Sequence, residues 1–167
     1  MDSLNNDINE ITDQEIDLIA DTTLETLENL LSYFNVDNIE INELTGNDNE
    51  LIFDITGDDL SILIGKHGST LDAIQYLTTT HVYKKIDKRY PVVIDINGYK
   101  ERRFEKIESI AQNAAQKVVK FNKKIKLKPM TPYERRIVHM FLSDNEEVET
   151  ASQGQGSSRY VILYPKK

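Results

Sequence analysis

The feature that most constrains this chain is the tetrapeptide Gly-Lys-His-Gly at residues 65–68, which lies between two segments with helical periodicity. Its two glycines allow a sharp backbone turn that residues with a Cβ resist. Lys66 and His67 present nitrogen donors between them, and Lys66 is the first Lys or Arg of the chain. Residues 69–72 (Ser-Thr-Leu-Asp) have the form of a capping box, so we expect the loop to lead directly into a helix. Because a helix N-terminus attracts anions, the pattern predicts a loop that holds phosphate.

Length and composition fit one or two small domains, because 167 residues with 39% hydrophobic content can fill a core. There is no cysteine, which excludes disulfides and thiolate metal sites and fits a reducing compartment. The first thirty residues contain no Lys or Arg and are interrupted by acidic residues, which argues against a signal peptide or a membrane span. We therefore expect a soluble cytoplasmic protein without membrane insertion.

Charge is divided unevenly along the chain. Residues 1–65 contain 17 acidic and no basic residues, a net charge of -17, whereas residues 66–167 contain 20 basic and 11 acidic residues, a net charge of +9. One interpretation is a part that faces a polyanion joined to a part that repels one. The other is two solvated surfaces of different bias, and composition alone leaves both open.

The first half of the chain has the pattern of one mixed domain. Residues 12–15 (Thr-Asp-Gln-Glu) are a capping-box signature, and Gly65 is placed to end a short helix. The predicted elements are a helix from residue 12 to about 34, strands around 39–44 and 51–55, a short helix before Gly65, a helix over 69–85 and a strand over 91–96. This domain is assigned to residues 13–98, behind an acidic flexible tail at residues 1–12.

The second half, residues 99–167, has a different pattern. Thr131, Pro132 and Glu134 together form a complete helix start, with cap, first-turn proline and capping-box glutamate. The predicted elements are a helix over 99–122, a short strand around 125–127, a helix from 131 to about 142, and strands near 148–150 and 159–165. In the last strand, Tyr160, Ile162 and Tyr164 share one face and Val161 and Leu163 the other.

Arg135 and His139 lie four residues apart and therefore share one face of the helix that begins at Thr131. We take the apolar sector of this helix to be Tyr133, Ile137, Met140 and Phe141. Since Arg135 and His139 point roughly 160° away from the centre of that sector, we expect both side chains to be exposed. Cations near a helix N-terminus gain nothing from the macrodipole, but an anion is favoured there. The pair is therefore a candidate phosphate contact.

Two motifs carry a resemblance to a known family. Residues 65–77 (Gly-Lys-His-Gly-Ser-Thr-Leu-Asp-Ala-Ile-Gln-Tyr-Leu) closely resemble the signature of a type II KH domain. Residues 130–139 (Met-Thr-Pro-Tyr-Glu-Arg-Arg-Ile-Val-His) resemble the helix of the Arg-x-x-x-His (R-three-H) domain, which binds single-stranded nucleic acid. In tandem and in this order, they resemble the bacterial Jag/EloR (SpoIIIJ-associated) family over residues 14–167, and residues 152–156 with Arg159 match the family's closing hairpin.

The resemblance implies an α+β protein: a type II KH domain (α-β-β-α-α-β) followed by a small α/β R-three-H domain whose helices pack on a three-stranded sheet. It implies binding of single-stranded RNA, or of single-stranded DNA, without catalysis, metal or cofactor. The implied loop contacts are Gly65, Lys66, His67, Gly68 and Ser69. The implied helix contacts are Arg135 and His139. Charge and proximity in sequence add Lys126, Lys128, Arg136 and Arg159 as candidate supporting contacts. Ile62, Ile64 and Leu71 are candidates for a base-accepting groove or for the core beneath it.

Family resemblance further implies a partner, either a small single-KH protein or a second copy of the chain. It also implies a role as a post-transcriptional regulator or RNA chaperone linked to cell elongation and division. Many relatives carry an additional N-terminal Jag domain and a charged linker that have no counterpart in this sequence. Gln153 and Gln155 stand where many relatives have acidic residues, which removes repulsion toward phosphate.

The sequence leaves two other functions open. Arg135 and His139 could serve a phosphodiesterase, although the sequence has no nucleophile elbow, Walker loop, Rossmann fingerprint or His-Glu-x-x-His pair. The acidic helix over residues 12–34 could instead make the protein an interaction adaptor.

Overall fold

A computed structural model describes residues 11–46 and 49–166 and divides the chain into two compact units, residues 1–97 (unit 1) and 98–167 (unit 2). Most of the predicted acidic tail at residues 1–12 lies outside the described residues. Across the described ranges, no helix combines the length and apolarity that a membrane span requires.

The described part of unit 1 has the predicted α-β-β-α-α-β order, which confirms the fold expected for this half. Its elements are α1 (Asp13–Leu31), β1 (Glu40–Thr45), β2 (Leu51–Thr56), α2 (Ser61–Ile64), α3 (Ser69–Ile86) and β3 (Val92–Ile96). The sheet order is β1-β2-β3, with β1 and β2 antiparallel and β2 and β3 parallel. A parallel pair needs a crossover, and the segment containing α2, the glycine loop and α3 provides it.

The core of unit 1 lies on one face of this sheet. Phe53 and Ile55 of β2 and Ile94 and Ile96 of β3 are fully buried, in the alternation expected for a one-sided sheet. Gln75 of α3 fixes the helix to the strand edge: its Nε2 donates to the Val92 carbonyl at 2.8 Å and its Oε1 accepts from the Ile94 amide at 2.8 Å. Backbone groups of β3 that face away from β2 are thereby paired.

The first helix confirms its predicted capping box, with Glu15 N donating to Thr12 Oγ1 at 3.3 Å and Thr12 N donating to Glu15 Oε2 at 3.0 Å. Two of its acids pair with lysines in unit 1, Glu25 with Lys85 at 2.9 Å and Glu15 with Lys88 at 3.3 Å. The hydrogen bond from Lys85 is the main cause that lowers the pKa of Glu25. Part of the acidic charge of α1 is therefore balanced within its own unit.

Unit 2 confirms the prediction of helices packed on a three-stranded sheet. Its elements are α4 (Tyr99–Phe121), β4 (Ile125–Lys126), α5 (Pro132–Phe141), β5 (Val148–Gln153) and β6 (Tyr160–Pro165). The sheet order is β4-β6-β5, with both pairs antiparallel. One apolar core joins both helices to one face of the sheet, and it includes Ile107, Ala111, Val118, Val138, Val148, Val161 and Leu163.

Candidate nucleic-acid interface

The glycine loop between α2 and α3 has a backbone that demands glycine at its first position. Gly65 adopts φ 70° and ψ -171°, a region that is essentially restricted to glycine. A Cβ built there would lie 2.9 Å from the Thr70 amide nitrogen and would overlap the Thr70 hydroxyl. His67 (φ 57°) and Gly68 (φ 84°) are both left-handed, so the chain reverses within four residues. The motif is thus a tight turn that brings backbone, rather than side chains, close to α3.

The start of α3 differs from the prediction. A capping box from Ser69 to Asp72 is wrong, because Gly68 is the N-cap, Ser69 is already helical, and no side chain caps the helix. The Ser69 amide instead donates to the Lys66 carbonyl. Without a side-chain cap, the first turn of an 18-residue helix has amide donors available for an external acceptor.

The side chains at the loop tip are accessible. Lys66, His67 and Ser69 are exposed, whereas Gly68 is buried against the fold. Of the three groove candidates, Leu71 is 1% exposed and belongs to the core, Ile62 is 55% exposed and Ile64 is half-buried. The loop therefore combines the exposed side chains of Lys66 and His67 at its tip with an exposed apolar side chain on the preceding turn.

The N-terminus of α5 is held by a dense set of polar contacts. Glu134 N donates to Thr131 Oγ1 at 3.2 Å and Thr131 N donates to Glu134 Oε2 at 2.8 Å, which confirms the predicted capping box. Glu134 is only 3% exposed, and its other carboxylate oxygen accepts from Arg103 Nε of α4 at 2.7 Å. A buried carboxylate needs such a partner, so this ion pair fixes α5 on α4.

The prediction that Arg135 and His139 are exposed is wrong. Both are half-buried, whereas Tyr133 (69%) and Met140 (63%), which were assigned to the buried sector, are largely exposed. The helix buries Glu134, Ile137 and Val138 instead. At 100° per residue, Arg135 lies about 60° from Val138, so it flanks the core instead of opposing it.

Arg135 and His139 meet two hydroxyl groups of β5. His139 Nδ1 is 2.7 Å from Thr150 Oγ1 and Nε2 is 2.8 Å from Ser152 Oγ, while Arg135 Nη1 donates to the same Ser152 oxygen at 3.4 Å. Either neutral tautomer of His139 fits these distances. In one, the Ser152 hydroxyl donates to Nε2 and Nδ1–H donates to Thr150; in the other, Nε2–H donates to Ser152 and the Thr150 hydroxyl donates to Nδ1. Ser152 can accept from Arg135 in both. The four side chains form the Arg-His cluster.

The ionisation of this cluster follows from its burial. Burial is the main cause that lowers the pKa of His139, and the positive charge of Arg135 lowers it further. At neutral pH the imidazole is therefore uncharged, and the cation of the cluster is Arg135. Arg135 Nε is buried and has no hydrogen-bond partner in the described residues, whereas Nη1 of the same guanidinium donates to Ser152. The chemistry on offer is one fixed cation with hydroxyl and imidazole neighbours, which suits an anion.

Sequence reasoning missed Thr150 and Ser152. They are the alternate residues of β5 that face the helices, since they pair with the core residues Leu163 and Val161 of β6. A period-two pattern of hydroxyl residues was visible in the segment Val-Glu-Thr-Ala-Ser. Whether these hydroxyl groups reach the Arg-x-x-x-His helix depends on which strand lies beneath α5. Strand order is set by contacts between residues distant in sequence, so the local pattern does not reveal it.

Two of the four predicted supporting cations, Arg136 and Lys126, lie apart from the Arg-His cluster. Arg136 lines a separate cleft of about 440 Å³ between α4 and α5, beside Phe104, Glu108, Tyr133, Ile137, Met140 and Phe141. Lys126 pairs across the sheet with Ile162, which alternates with the core residue Val161, so it lies on the other face from Ser152. Lys128 and Arg159 are exposed. Among the described residues, no three His, Asp or Glu side chains are grouped so that they could hold a metal ion.

Two protein-family models match this chain, one in each half. The KH domain shared by KhpA and KhpB matches residues 24–94, and the R-three-H domain matches residues 105–165. Together with the glycine loop and the Arg-x-x-x-His helix, these matches define the class: proteins that join a KH module to an R-three-H module.

Individual relatives narrow the class. RNA-binding protein KhpB of Clostridium symbiosum is 39% identical over 152 residues, which are 89% of this chain and 67% of that protein. RNA-binding protein KhpB of Bacillus subtilis is 34% identical over 66% of this chain and 54% of its own length. The protein of the same name from Lactiplantibacillus plantarum is 35% identical over 64% of this chain and 33% of its own length. The chain belongs to the KhpB family, and it spans between a third and two thirds of the length of these relatives.

Proposed function

We propose that this protein binds single-stranded RNA without catalysis, with the loop at residues 65–69 holding the backbone and the Arg-His cluster adding a second contact. The observation that carries the proposal is the loop geometry. Gly65 cannot accept a Cβ, the turn ends at the uncapped first turn of α3, and the side chains of Lys66 and His67 are exposed. Such a site suits the phosphates of a flexible strand, whose bases remain free to splay apart.

The Arg-His cluster supports binding more than cleavage. Both ring nitrogens of His139 have hydroxyl partners, and its pKa is lowered by burial, so the side chain is engaged within its own unit. A phosphodiesterase needs a base within reach of the attacking hydroxyl. The relatives are also named for RNA binding and not for a reaction. We therefore propose that Arg135 contacts phosphate while His139, Thr150 and Ser152 hold its surroundings.

The biological role we propose is post-transcriptional regulation or RNA chaperoning in the cytoplasm, linked to cell elongation and division. We further propose that the KH unit pairs with another KH unit, from a small single-KH protein or from a second copy. Exposed apolar side chains on α3, Tyr76 (69%) and Leu77 (52%), support such pairing. Sedimentation of the purified chain, alone and with a single-KH protein, should show a species heavier than the monomer in at least one case.

A titration of fluorescein-labelled single-stranded RNA at low salt tests the binding function. We expect the double variant Lys66→Asp with His67→Asp to lose roughly tenfold to a hundredfold in affinity, because an ammonium group and an imidazole are replaced by two carboxylates near the RNA backbone. The matched control is His81→Asp with Lys84→Asp, which changes one exposed His and one exposed Lys of α3 in the same way. Circular dichroism checks that both variants fold.

The outcomes separate the possibilities. Equal loss in both double variants would show that net charge, rather than the loop, sets the affinity. Unchanged affinity in the loop variant would remove the loop from its proposed role. Unlabelled single-stranded DNA as competitor tests whether the 2′-hydroxyl matters, and gel analysis of the RNA after the titration tests for cleavage. Cleavage that disappears with His139→Ala would overturn the non-catalytic function.

A further inference from the structure

The sheet of unit 2 has a second face that the core does not use. On the central strand β6, Val161 and Leu163 are fully buried in the core with α4 and α5. Tyr160, Ile162 and Tyr164 alternate with them and therefore lie on the opposite face. Tyr160 and Tyr164 are half-buried, and Ile162 between them is 6% exposed. The outer sheet face is defined here by these three residues and their neighbours on β4 and β5.

The edge strand β4 contributes lysines to the outer sheet face. Ile125 pairs with Leu163 and Lys126 with Ile162, and the Leu127 amide donates to the Val161 carbonyl at 2.9 Å. Since Ile125 and Leu127 contact the core, the alternating residues point the other way, and all three are exposed lysines: Lys124, Lys126 and Lys128. Successive residues on one face of a strand are about 6.8 Å apart, so the lysines form a row beside the tyrosines.

Direct contact links the lysine row to the aromatic strand. Lys126 Nζ lies 3.8 Å from the centroid of the Tyr160 ring, a cation-π geometry. On the other side of β6, Gln153 of β5 donates from Nε2 to the Tyr164 hydroxyl at 3.0 Å. The outer sheet face is therefore organised as a row of cations along a row of rings.

The charge of this face is unbalanced. Of the residues in the three described strands, Glu149 is the one acidic side chain on the outer sheet face, opposite Tyr164. Lys124, Lys126 and Lys128 take part in none of the ion pairs found among the described residues. A partner with repeated negative charge is favoured, and the half-buried rings favour one that also carries flat groups.

We propose that the outer sheet face is a further binding surface for single-stranded RNA, in which a base displaces Lys126 from the Tyr160 ring and stacks there while Lys124, Lys126 and Lys128 contact the phosphates. This rests on the RNA-binding function proposed above and extends it to a surface separate from the Arg-His cluster, because Thr150 and Ser152 face the helices on the other side of the sheet. Stacking tolerates any base, so this surface adds affinity and length of footprint more than sequence preference.

Affinity measurements on the intact chain test the proposal with matched pairs. Lys124→Gln with Lys126→Gln is compared with Lys106→Gln with Lys117→Gln, which removes the same charge from the exposed side of α4. Tyr160→Leu is compared with Tyr160→Phe, which keeps the ring, and with Tyr33→Leu, which removes an 82% exposed ring from unit 1. We expect at least a fivefold loss for the first variant of each pair and less than twofold for the controls. Ultraviolet crosslinking to the same RNA should attach a nucleotide to Tyr160.

Several results would overturn the proposal. If the wild type binds RNA but the Lys124/Lys126 variant matches its control and no crosslink reaches β6, the outer sheet face is not an RNA surface, while the loop function stands. If the wild type binds no RNA, the function itself fails. A third result would assign the face to acidic protein that is recognised by charge alone. In that case polyglutamate displaces RNA from the wild type but not from the Lys124/Lys126 variant, and Tyr160→Leu binds RNA normally. If Tyr160→Leu misfolds, the Lys124/Lys126 variant still decides the question, because its substitutions lie on an exposed edge of the sheet.

Discussion

The two proposed RNA contacts, one in each unit, differ in their electrostatic surroundings and in the groups that form them. Unit 1 has 5 basic and 20 acidic residues, a net charge of -15, and unit 2 has 15 basic and 8 acidic residues, a net charge of +7. The unit with the strongly negative charge carries a site made from backbone, with exposed cations at its tip. The positive unit carries a site made from half-buried side chains that hydrogen-bond to one another.

This difference has a physical reason. In unit 1, a glycine turn and a helix terminus provide amide donors beside an exposed lysine. These amides carry no net charge, so the many acidic residues of the unit do not neutralise them, and they can still bind phosphate. In unit 2 the net charge is already positive, so the position of the cation matters more for binding phosphate than one additional charge. The guanidinium of Arg135 is held against β5. Substitutions of the exposed loop side chains Lys66 and His67 should therefore change binding with little effect on the folding of unit 1. Substitutions in the Arg-His cluster should change both the binding and the folding of unit 2.

The largest effect is expected where unit 2 buries an ion pair. Arg103→Ala leaves the carboxylate of Glu134, which is 3% exposed, without its partner at the start of α5. We expect the free energy of unfolding of unit 2 to fall by about 3 kcal/mol, the lower end for a broken buried pair since Arg103 is partly exposed. Amide hydrogen exchange at Val161 and Leu163 measures this unit alone. Lys106→Ala, on the exposed side of α4, is the control and should cost less than about 0.5 kcal/mol.

A slightly smaller loss of stability is expected from a substitution in the glycine loop of unit 1. Gly65→Ala places a Cβ against Thr70 in a glycine-only conformation and should destabilise unit 1 by about 2–3 kcal/mol. Gly156→Ala is the control, because its φ is also positive (+51°) but a Cβ there meets nothing within 4 Å, so about 1 kcal/mol is expected. Hydrogen exchange in β2 and β3 reports the first, and in β6 the second. Equal losses would show that the close approach to Thr70 does not matter.

The pH dependence of unit 2 should come partly from His139. Its pKa is lowered in the folded state by burial and by Arg135, so the unfolded chain, with an ordinary value near 6.5, binds the proton first. The stability that the neutral imidazole contributes is present above about pH 6.5 and is lost as the pH falls through the folded-state pKa. His139→Asn should flatten this part of the unfolding profile of unit 2.

RNA binding should respond to pH in the opposite direction, because a bound phosphate favours the protonated imidazole. Between pH 7.5 and pH 6, wild-type affinity should rise, and the rise should be smaller in His139→Asn, where only groups outside the Arg-His cluster can titrate. An identical rise in both proteins would place the titrating group elsewhere.

The smallest effect concerns the salt dependence of the loop. The slope of log affinity against log salt should fall by about 0.7 when one phosphate-contacting cation is removed from a single-strand site. Lys66→Gln should show this change in a titration series across salt concentrations. Lys84→Gln, an exposed cation at the other end of α3, should leave the slope unchanged.

The loop was largely predictable from sequence, whereas the Arg-His cluster was only partly so. Glycine spacing and local helix signals determine the turn, and the sequence error there was limited to the cap, which is Gly68 and not Ser69. For α5, the periodicity of apolar residues misplaced the buried face. Tyr133 and Met140 are apolar but exposed, and Glu134 is charged but buried because Arg103, 31 residues away, pairs with it. Such long-range pairing leaves no trace in local periodicity.

Strand pairing shows the same limit. The alternation of β6 was readable, with Tyr160, Ile162 and Tyr164 on one face, but not which strands flank it or which face the helices cover. The β4-β6-β5 order places Thr150 and Ser152 under α5 and Lys126 on the other side. Lys126 and Arg135, grouped together from charge, are thereby separated.

Each unit is proposed to contribute its own RNA contact, and the contact made by the loop is proposed to be the dominant one. One set of anisotropy titrations with a single-stranded RNA of about 20 nucleotides decides this, using wild type, Lys66→Asp with His67→Asp, Arg135→Gln, Arg135→Lys and the combined loop and Arg135→Gln variant. We predict at least a tenfold loss for the loop variant, roughly threefold to tenfold for Arg135→Gln, less for Arg135→Lys, and a larger loss for the combination than for either alone. Wild-type affinity in the loop variant, with correct folding, would contradict the account.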